Sequence, residues 1–357
     1  MTRYVIPALY RPTPPQQHPA VDLIGEQSMR WMRSLGFGTG PEIERWIANI
    51  EPASLATHMF PEQPVERIQW FSDYWCLMAT AEDLSLESEG SGTANRRFLA
   101  AQIGFVVAEP RGCADSDLAS PILRGIRDIT VRERQLATPA QVSRHTAEFG
   151  YWLLGVLAGD DLPGVLSFSD TLRLRMFDAG TALMSAISNI VCPQPVPEDL
   201  WHHPGLVAAC QASMLTAVCD NDLFSYGKER FLAESRGQRS PTNLVCHLEA
   251  SGLDTAKAFE TVVDYRNRAM CLWQHLRQEL QATAAPALTA FLRAVDLSVT
   301  GNNQYHLTSS RYHNPDGHHS HAITFDTTFT TQCPVTDHSP PAASVAWWWE
   351  QLDSGFH

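Results

Sequence analysis

The eight cysteines include no Cys-x-x-Cys pair, no apolar run is long enough to cross a bilayer, and alternating strand patterns are scarce. Positive charge is short as well: 26 Lys and Arg stand against 39 Asp and Glu, a formal net charge of −13. Each shortage excludes something. Cysteines without paired spacing, several in apolar helical contexts, read as reduced structural residues, which points to a cytoplasmic protein. The N-terminal Met1-Thr2-Arg3-Tyr4-Val5-Ile6-Pro7 has no signal-like apolar core, and nothing predicts membrane insertion. The acidic balance argues against a nucleic-acid partner, which needs a basic face. It leaves an anionic small substrate open, since a few local cations reverse the field inside a cleft. What is plentiful is apolar: 44% hydrophobic against 18% charged residues permits a large core and excludes global disorder.

Residues 1–20 hold Pro7, Pro12, Pro14, Pro15 and Pro19, too many for a helix, and are expected to form an extended arm. Apolar residues at helical spacing then run from Val21 to Leu35, and Pro41 with Glu42 and Glu44 opens the next helix. A long apolar helix is predicted from Val65 to about Leu86, ending in Glu82-Asp83-Leu84-Ser85-Leu86-Glu87 before a loop at 89–92. Further helices are expected at 119–135, 139–159, 165–190, from Pro197 onward, and at 243–250, 254–282 and 286–300. Turns at 160–164 and 192–195 and a basic loop at 236–239 separate them. The expected class is all-α: an arm (1–20), one helical domain (21–312) and an irregular tail (313–357). The tail's His313, His318, His319 and His321 lack the rigid spacing of a metal site, and Trp347-Trp348-Trp349 reads as a cover for an apolar patch.

One stretch organises the rest: Asn221-Asp222-Leu223-Phe224-Ser225-Tyr226-Gly227-Lys228-Glu229. Residues four apart share a helix face, so Asn221, Ser225 and Glu229 form one polar row, drifting by about 40° per step. All three are hard oxygen donors of the kind that hold Mg²⁺, and Lys228 could meet a phosphate as a point charge. Such a row is usually a solvated face. Here the preceding Leu206–Cys210 and Met214–Cys219 are apolar on nearly every side, which argues for burial.

The same nonapeptide resembles the second metal-binding motif of class I terpene synthases, in the wording typical of bacterial members. The resemblance implies a helical bundle with a central cavity and a second acidic helix facing this one. Glu82-Asp83 with Glu87 answers that motif, although the family places Asp first, so Glu82 is a departure. Without the resemblance, an acidic helix end beside a loop is ordinary surface. Arg175, 46 residues before Asn221, stands where the family keeps its diphosphate-sensing arginine, with Asp178 as linker and Ala179 as carbonyl effector at a helix break. Gly180 costs about 1 kcal/mol inside a helix, which favours a break; an Arg–Asp surface pair is the plain alternative. Arg311-Tyr312 answers the family's Arg-Tyr pair, and Tyr305 and His306 upstream are expected to line the pocket.

The function implied is a lyase, a Mg²⁺-dependent terpene cyclase. Three Mg²⁺ ions, with Mn²⁺ as substitute, would bridge an isoprenyl diphosphate to Glu82, Asp83, Glu87, Asn221, Ser225 and Glu229. Arg175, Lys228, Arg311 and Tyr312 would clamp it, and an allylic cation would cyclise against Phe71, Trp75, Phe177 and Trp201. Aromatics at helical spacing are also ordinary core. Farnesyl diphosphate is the favoured substrate, as the commonest among similar bacterial enzymes; geranyl, methylated geranyl and geranylgeranyl diphosphates stay open, as does a homodimer. A prenyl-chain-elongating synthase is disfavoured because its second acidic motif is replaced by Asn/Ser/Glu. A helical relative with a degenerate first motif and no activity is the non-enzyme alternative.

Overall fold

The computed structural model describes residues 2–37, 40–83, 93–112, 118, 120–159, 166–236, 242–282, 285–318 and 320–352. Glu87, the loop at 89–92, Cys113, the turn at 160–164, residues 237–239 and His319 lie outside them. Two short strands, β1 (Thr2–Val5) and β2 (Leu9–Tyr10), precede the helices α1 (Val21–Ser34), α2 (Pro41–Ile50), α3 (Pro52–Met59) and α4 (Val65–Ala81). Then come α5 (Thr93–Ala108), α6 (Pro121–Leu136), α7 (Pro139–Gly159), α8 (Phe168–Asp178), α9 (Thr181–Val191) and α10 (Glu198–Trp201). The remaining elements are α11 (Pro204–Arg236), α12 (Leu244–Ala250), α13 (Thr255–Ala282), α14 (Pro286–Thr308), α15 (Ser310–His313), β3 (Ile323–Asp326), β4 (Phe329–Thr330) and α16 (Ala346–Trp349). The chain is all-α, and no helix among the described residues is long and apolar enough to cross a membrane.

Local chemistry explains the starts. Ser120, Ser167 and Asn243 are N-caps whose side chains accept from backbone amides one turn ahead, and Pro opens α2, α3, α6 and α14. Two apolar clusters make the core. One gathers α11, α13 and α14 around Trp273, Phe224 and Phe291, and the other gathers α1, α3, α4, α6 and α7 around Trp70, Phe71 and Phe149. Met184 on α9 and Phe325 on β3 pack against both. α3 and α14 cross at backbone distance: a Cβ on Gly301 would lie 2.1 Å from the His58 carbonyl oxygen.

The two ends of the chain meet. β1 pairs in parallel with β3 in the register Thr2↔Ile323 to Val5↔Asp326, and β2 with β4 through Leu9↔Phe329. The arm is extended, as its prolines require. The tail, expected to be irregular, instead supplies β3, β4 and α16, with Val345 and Trp348 buried against the bundle. Tyr4 of β1 stacks on Phe259 and Phe325 and meets Tyr226 edge-on at 5.4 Å. Gly227 makes that close fit: a Cβ there would lie 2.6 Å from the Tyr4 ring.

The cysteine reading needs correction. Cys271 on α13 and Cys333 in the tail form a disulfide, while Cys76, Cys192, Cys210, Cys219 and Cys246 are free thiols. Their separation of 62 residues gives no local signal; docking of the tail, where Arg268 also pairs with Asp337 at 2.8 Å, brings them together. The inference from reduced cysteines to compartment loses its basis at this pair.

Candidate active site

The apolar surroundings of α11 bury its polar row. Ser225 is 1% exposed, Asn221 and Glu229 are half-buried, and the Ser225 Oγ has no hydrogen-bond partner among the described residues. Glu229 Oε2 accepts from Asn243 Nδ2 at 2.8 Å, so the cap of α12 also aims the metal-motif carboxylate. One residue round from Asn221, Asp222 is fully buried. Its Oδ2 accepts from the Leu244 amide at 2.8 Å and its Oδ1 from Arg175 Nε at 2.8 Å.

Arg175 donates from each of its three nitrogens, one to each of three partners. Beyond Asp222 it donates to Asp178 Oδ1 at 2.6 Å and to Asn221 Oδ1 at 2.8 Å. Burial works against its charge, but Asp178 and Asp222 together raise its pKa well above the usual arginine value. Burial also outweighs the guanidinium at both acids, lifting Asp178 to about 7 and Asp222 to about 6. The diphosphate-sensing candidate is thus a preorganised fork on two carboxylates.

The break expected near Asp178 is present. α8 ends at Asp178, Ala179 caps it, and Gly180 takes a left-handed φ of 65° before α9 begins. Trp152 Nε1 of α7 donates to the Asp178 carbonyl at 3.0 Å. Gly155, one turn further along α7, lets the break come close: a Cβ there would lie 2.8 Å from Asp178 N and Phe177 C. Gly155→Ala is therefore expected to push the break, and with it Arg175 and Asp178, by a few tenths of an ångström or more. The expected outcome is a fold with near-native circular dichroism and turnover reduced by roughly 10-fold to 100-fold, read by single-turnover product formation.

Across the cleft, α15 and the end of α4 meet. Arg311 grips Asp83 with two bonds of 2.5 and 3.0 Å, at a point where the backbone of Glu82 and Asp83 widens into a π turn. Tyr312 Oη accepts from Asn221 Nδ2 at 3.4 Å, and Lys228 Nζ lies 5.9 Å from the Tyr312 ring centre. His306 Nδ1 lies 2.7 Å from the Asn302 carbonyl, so Nδ1 carries the proton. Its Nε2 then accepts from Asn221 Nδ2 at 3.0 Å, which leaves Asn221 Oδ1 facing Arg175. Burial, with help from Lys228 and Arg311, lowers the His306 pKa to about 3 and keeps it neutral. Burial raises the Tyr305 phenol to about 12 and Tyr312 further still, so both stay protonated.

The structure therefore joins Asp83, Arg175, Asp178, Asn221, His306, Arg311 and Tyr312 in one continuous set of contacts, with Tyr305 edge-on to Tyr312 at 5.9 Å. Trp75 borders the apolar cluster on the same side, and Phe71 is closed into that cluster against Phe60. Two expected pocket residues lie elsewhere. Phe177 is 55% exposed: two residues beyond Arg175, about 200° round the helix, it occupies the opposite face. Trp201 packs between Phe291 and the Arg144 guanidinium, before the start of α11 and so roughly 25 Å along that helix from Asn221. Asp222, Asn243 and Trp152 are site-shaping residues absent from the sequence expectation. The signal for Asp222 was present: an acid in a helix apolar on every side needs a cation.

No group of three His, Cys, Asp or Glu among the described residues could hold a metal ion by itself. The oxygen row nevertheless suits a hard cation. Ser225 has an orphaned buried oxygen, Glu229 is aimed by Asn243, and the Asn221 carbonyl has a second lone pair. Asp83 and Glu82 stand on the facing wall.

Comparison with known proteins identifies the family of the chain. A family model described as terpene synthase family 2, C-terminal metal binding, matches residues 73–271. A diterpene cyclase of a Streptomyces species, DtcycA, is 36% identical over 98% of this chain and 97% of its own. Phomopsene synthase of Allokutzneria albata is 28% identical over 96% of each chain. The crystal structure of SVS_A2, a protein from ancestral sequence reconstruction, superposes with a TM-score of 0.78 at 21% identity, covering 97% of this chain and 99% of that one.

Proposed function

Because the chain belongs to terpene synthase family 2, we propose that it ionises an isoprenyl diphosphate between the Asp83–Arg311 wall and the Asn221–Glu229 row and cyclises the resulting cation. The observation that carries this reading is the Ser225 oxygen, buried without a partner in the middle of a row of hard donors whose first member, Asn221, is held by Arg175. Mg²⁺, three ions by family resemblance with Mn²⁺ as substitute, would be held by Asn221, Ser225 and Glu229 and by Asp83 with Glu82. There it supplies positive charge to the leaving diphosphate.

The chain's own residues do the rest. Arg175 is fixed by Asp178 and Asp222 and presents N–H groups without reorganisation when charge develops. Arg311 must exchange part of its hold on Asp83 for diphosphate oxygens, which frees the carboxylate and closes the mouth in the same movement. Tyr312, protonated and buried, donates its hydroxyl to the leaving group. His306 has both ring nitrogens engaged, Nδ1 donating to the Asn302 carbonyl and Nε2 accepting from Asn221, so the ring fixes the Asn221 amide rather than facing the cation with a free nitrogen.

The sequence favours a C15 substrate. The 36% relative, by its name a diterpene cyclase, supports the C20 geranylgeranyl diphosphate instead, and we take C20 as the first substrate to test. The test incubates purified protein with Mg²⁺ and each of the C10, C15 and C20 diphosphates, with products identified by mass spectrometry. A cyclic product from C20 alone supports the reading; no product from any of them, with Mg²⁺ or Mn²⁺, overturns it. Ser225→Ala is expected to raise the Mg²⁺ concentration for half-maximal turnover by about 10-fold or more. A scaffold without activity would show no rise in melting temperature on adding Mg²⁺ and inorganic diphosphate, whereas the proposed enzyme stabilises on binding both.

A further inference from the structure

A second cavity, of about 320 Å³, opens on the outer side of the α8–α9 break. Its walls include Glu148, Tyr151 and Trp152 of α7, Phe177 of α8, and Trp347 and Trp348 of α16, so the tail closes a space that the helices alone would leave open. The volume is at the small end of the range for ligand pockets, roughly 300–1,000 Å³. Tyr151 and Phe177 are more than half exposed, and the rings of Trp152, Trp347 and Trp348 complete an aromatic lining.

The polar groups narrow the ligand. Trp348 is 2% exposed, yet its Nε1 has no hydrogen-bond partner among the described residues, and neither has the buried Oγ of Ser344 in the same lining. Both atoms are shielded from the cavity by their neighbours, so recognition of an occupant falls to the open groups of the lining. Arg173, also in the lining, is held by Asp170 at 3.1 Å. Glu148 brings a half-buried carboxylate that repels anions and accepts from a hydroxyl. A hydrocarbon offers Glu148 no donor and an acid is repelled; an alcohol supplies the hydroxyl.

We propose that this cavity is a second small-molecule site, taking a neutral, largely hydrocarbon alcohol of terpenoid size, and that its occupant braces the break at 177–180 from outside. Gly180 and Phe177 line the cavity, while Arg175 and Asp178 of the same break face the candidate active site. Binding outside therefore acts on the arm that holds the diphosphate-sensing arginine.

The test uses the full chain with neither substrate nor Mg²⁺, so its failure leaves the proposed reaction untouched. Cedrol, a cyclic terpene alcohol, and farnesol are titrated calorimetrically, with farnesoic acid as the anionic control. Saturable binding of either alcohol, at least 10-fold tighter than the acid, is expected. Hydrogen exchange on wild-type protein should then slow at 176–181 and 344–348. Ala182→Trp, at an exposed lining position, should weaken binding at least 10-fold while leaving the melting temperature close to wild type. No saturable binding, protection confined to α4 and α14, or a folded Ala182→Trp protein that binds as wild type each overturns the proposal. The exchange map decides the matter even where that variant fails to fold.

Discussion

Arg175→Leu is expected to abolish detectable product and to destabilise the chain by about 3–5 kcal/mol, the cost of leaving a buried charge uncompensated. Asp178 and Asp222 both lose the guanidinium they lean on, and each must then take up a proton or stay buried as an unpaired charge. Thermal unfolding measures the stability loss and mass spectrometry the product. Adding Asp222→Asn should return part of the stability and none of the activity, which separates the structural cost from the catalytic one.

The sign of the pH dependence follows from Asp178. Its folded pKa, about 7, lies above the ordinary carboxyl value of 3.8, so its protonated form is the one folding favours. Its contribution is fully present below the unfolded pKa and lost as pH rises through about 7. Without Arg175 the ionised form is worse still. The melting-temperature deficit of Arg175→Leu should therefore be smaller at pH 5 than at pH 8; a deficit independent of pH would count against the pairing.

Gly301→Ala should be more damaging to the fold than its single methyl suggests. The new Cβ would stand 2.1 Å from the His58 carbonyl oxygen, 2.2 Å from its carbonyl carbon and 2.6 Å from Met59 N. These are backbone atoms of α3, so no rotamer change relieves the clash and one helix must move. Overpacking a core position usually costs about 1–3 kcal/mol, and a backbone clash belongs at or beyond the upper end. Denaturant unfolding would measure it. Because α14 also carries Tyr305 and His306, any soluble Gly301→Ala protein should lose turnover as well. A midpoint shift under about 1 kcal/mol would show that the two helices separate easily.

What the sequence made legible was whatever is local and periodic. The burial of the Asn221–Glu229 row followed from its apolar neighbours, and the break followed from a glycine set inside a helical pattern. Phase was not used well enough. Phe177 stands two residues from Arg175, and helical geometry alone puts it on the other face. Trp201 failed for length, since seventeen residues of α11 separate the row from the helix start. The disulfide and the terminal strands were beyond local reading, because β2 and β4 are two residues each and their partners lie at the far end of the chain.

The companion pairing of β1 with β3 gives the molecule a clock. Ile323–Asp326 follows Thr2–Val5 by more than three hundred residues, roughly a quarter of a minute to a minute at ordinary translation speeds. Until then Tyr4 has no neighbouring strand, and the back of α11 at Gly227, on the side away from Ser225 and Glu229, lacks the clasp that covers it. The helices can pack while the chain is still growing. The helix that carries the oxygen row is braced from behind only when β1 and β3 pair, long after its own residues have been made.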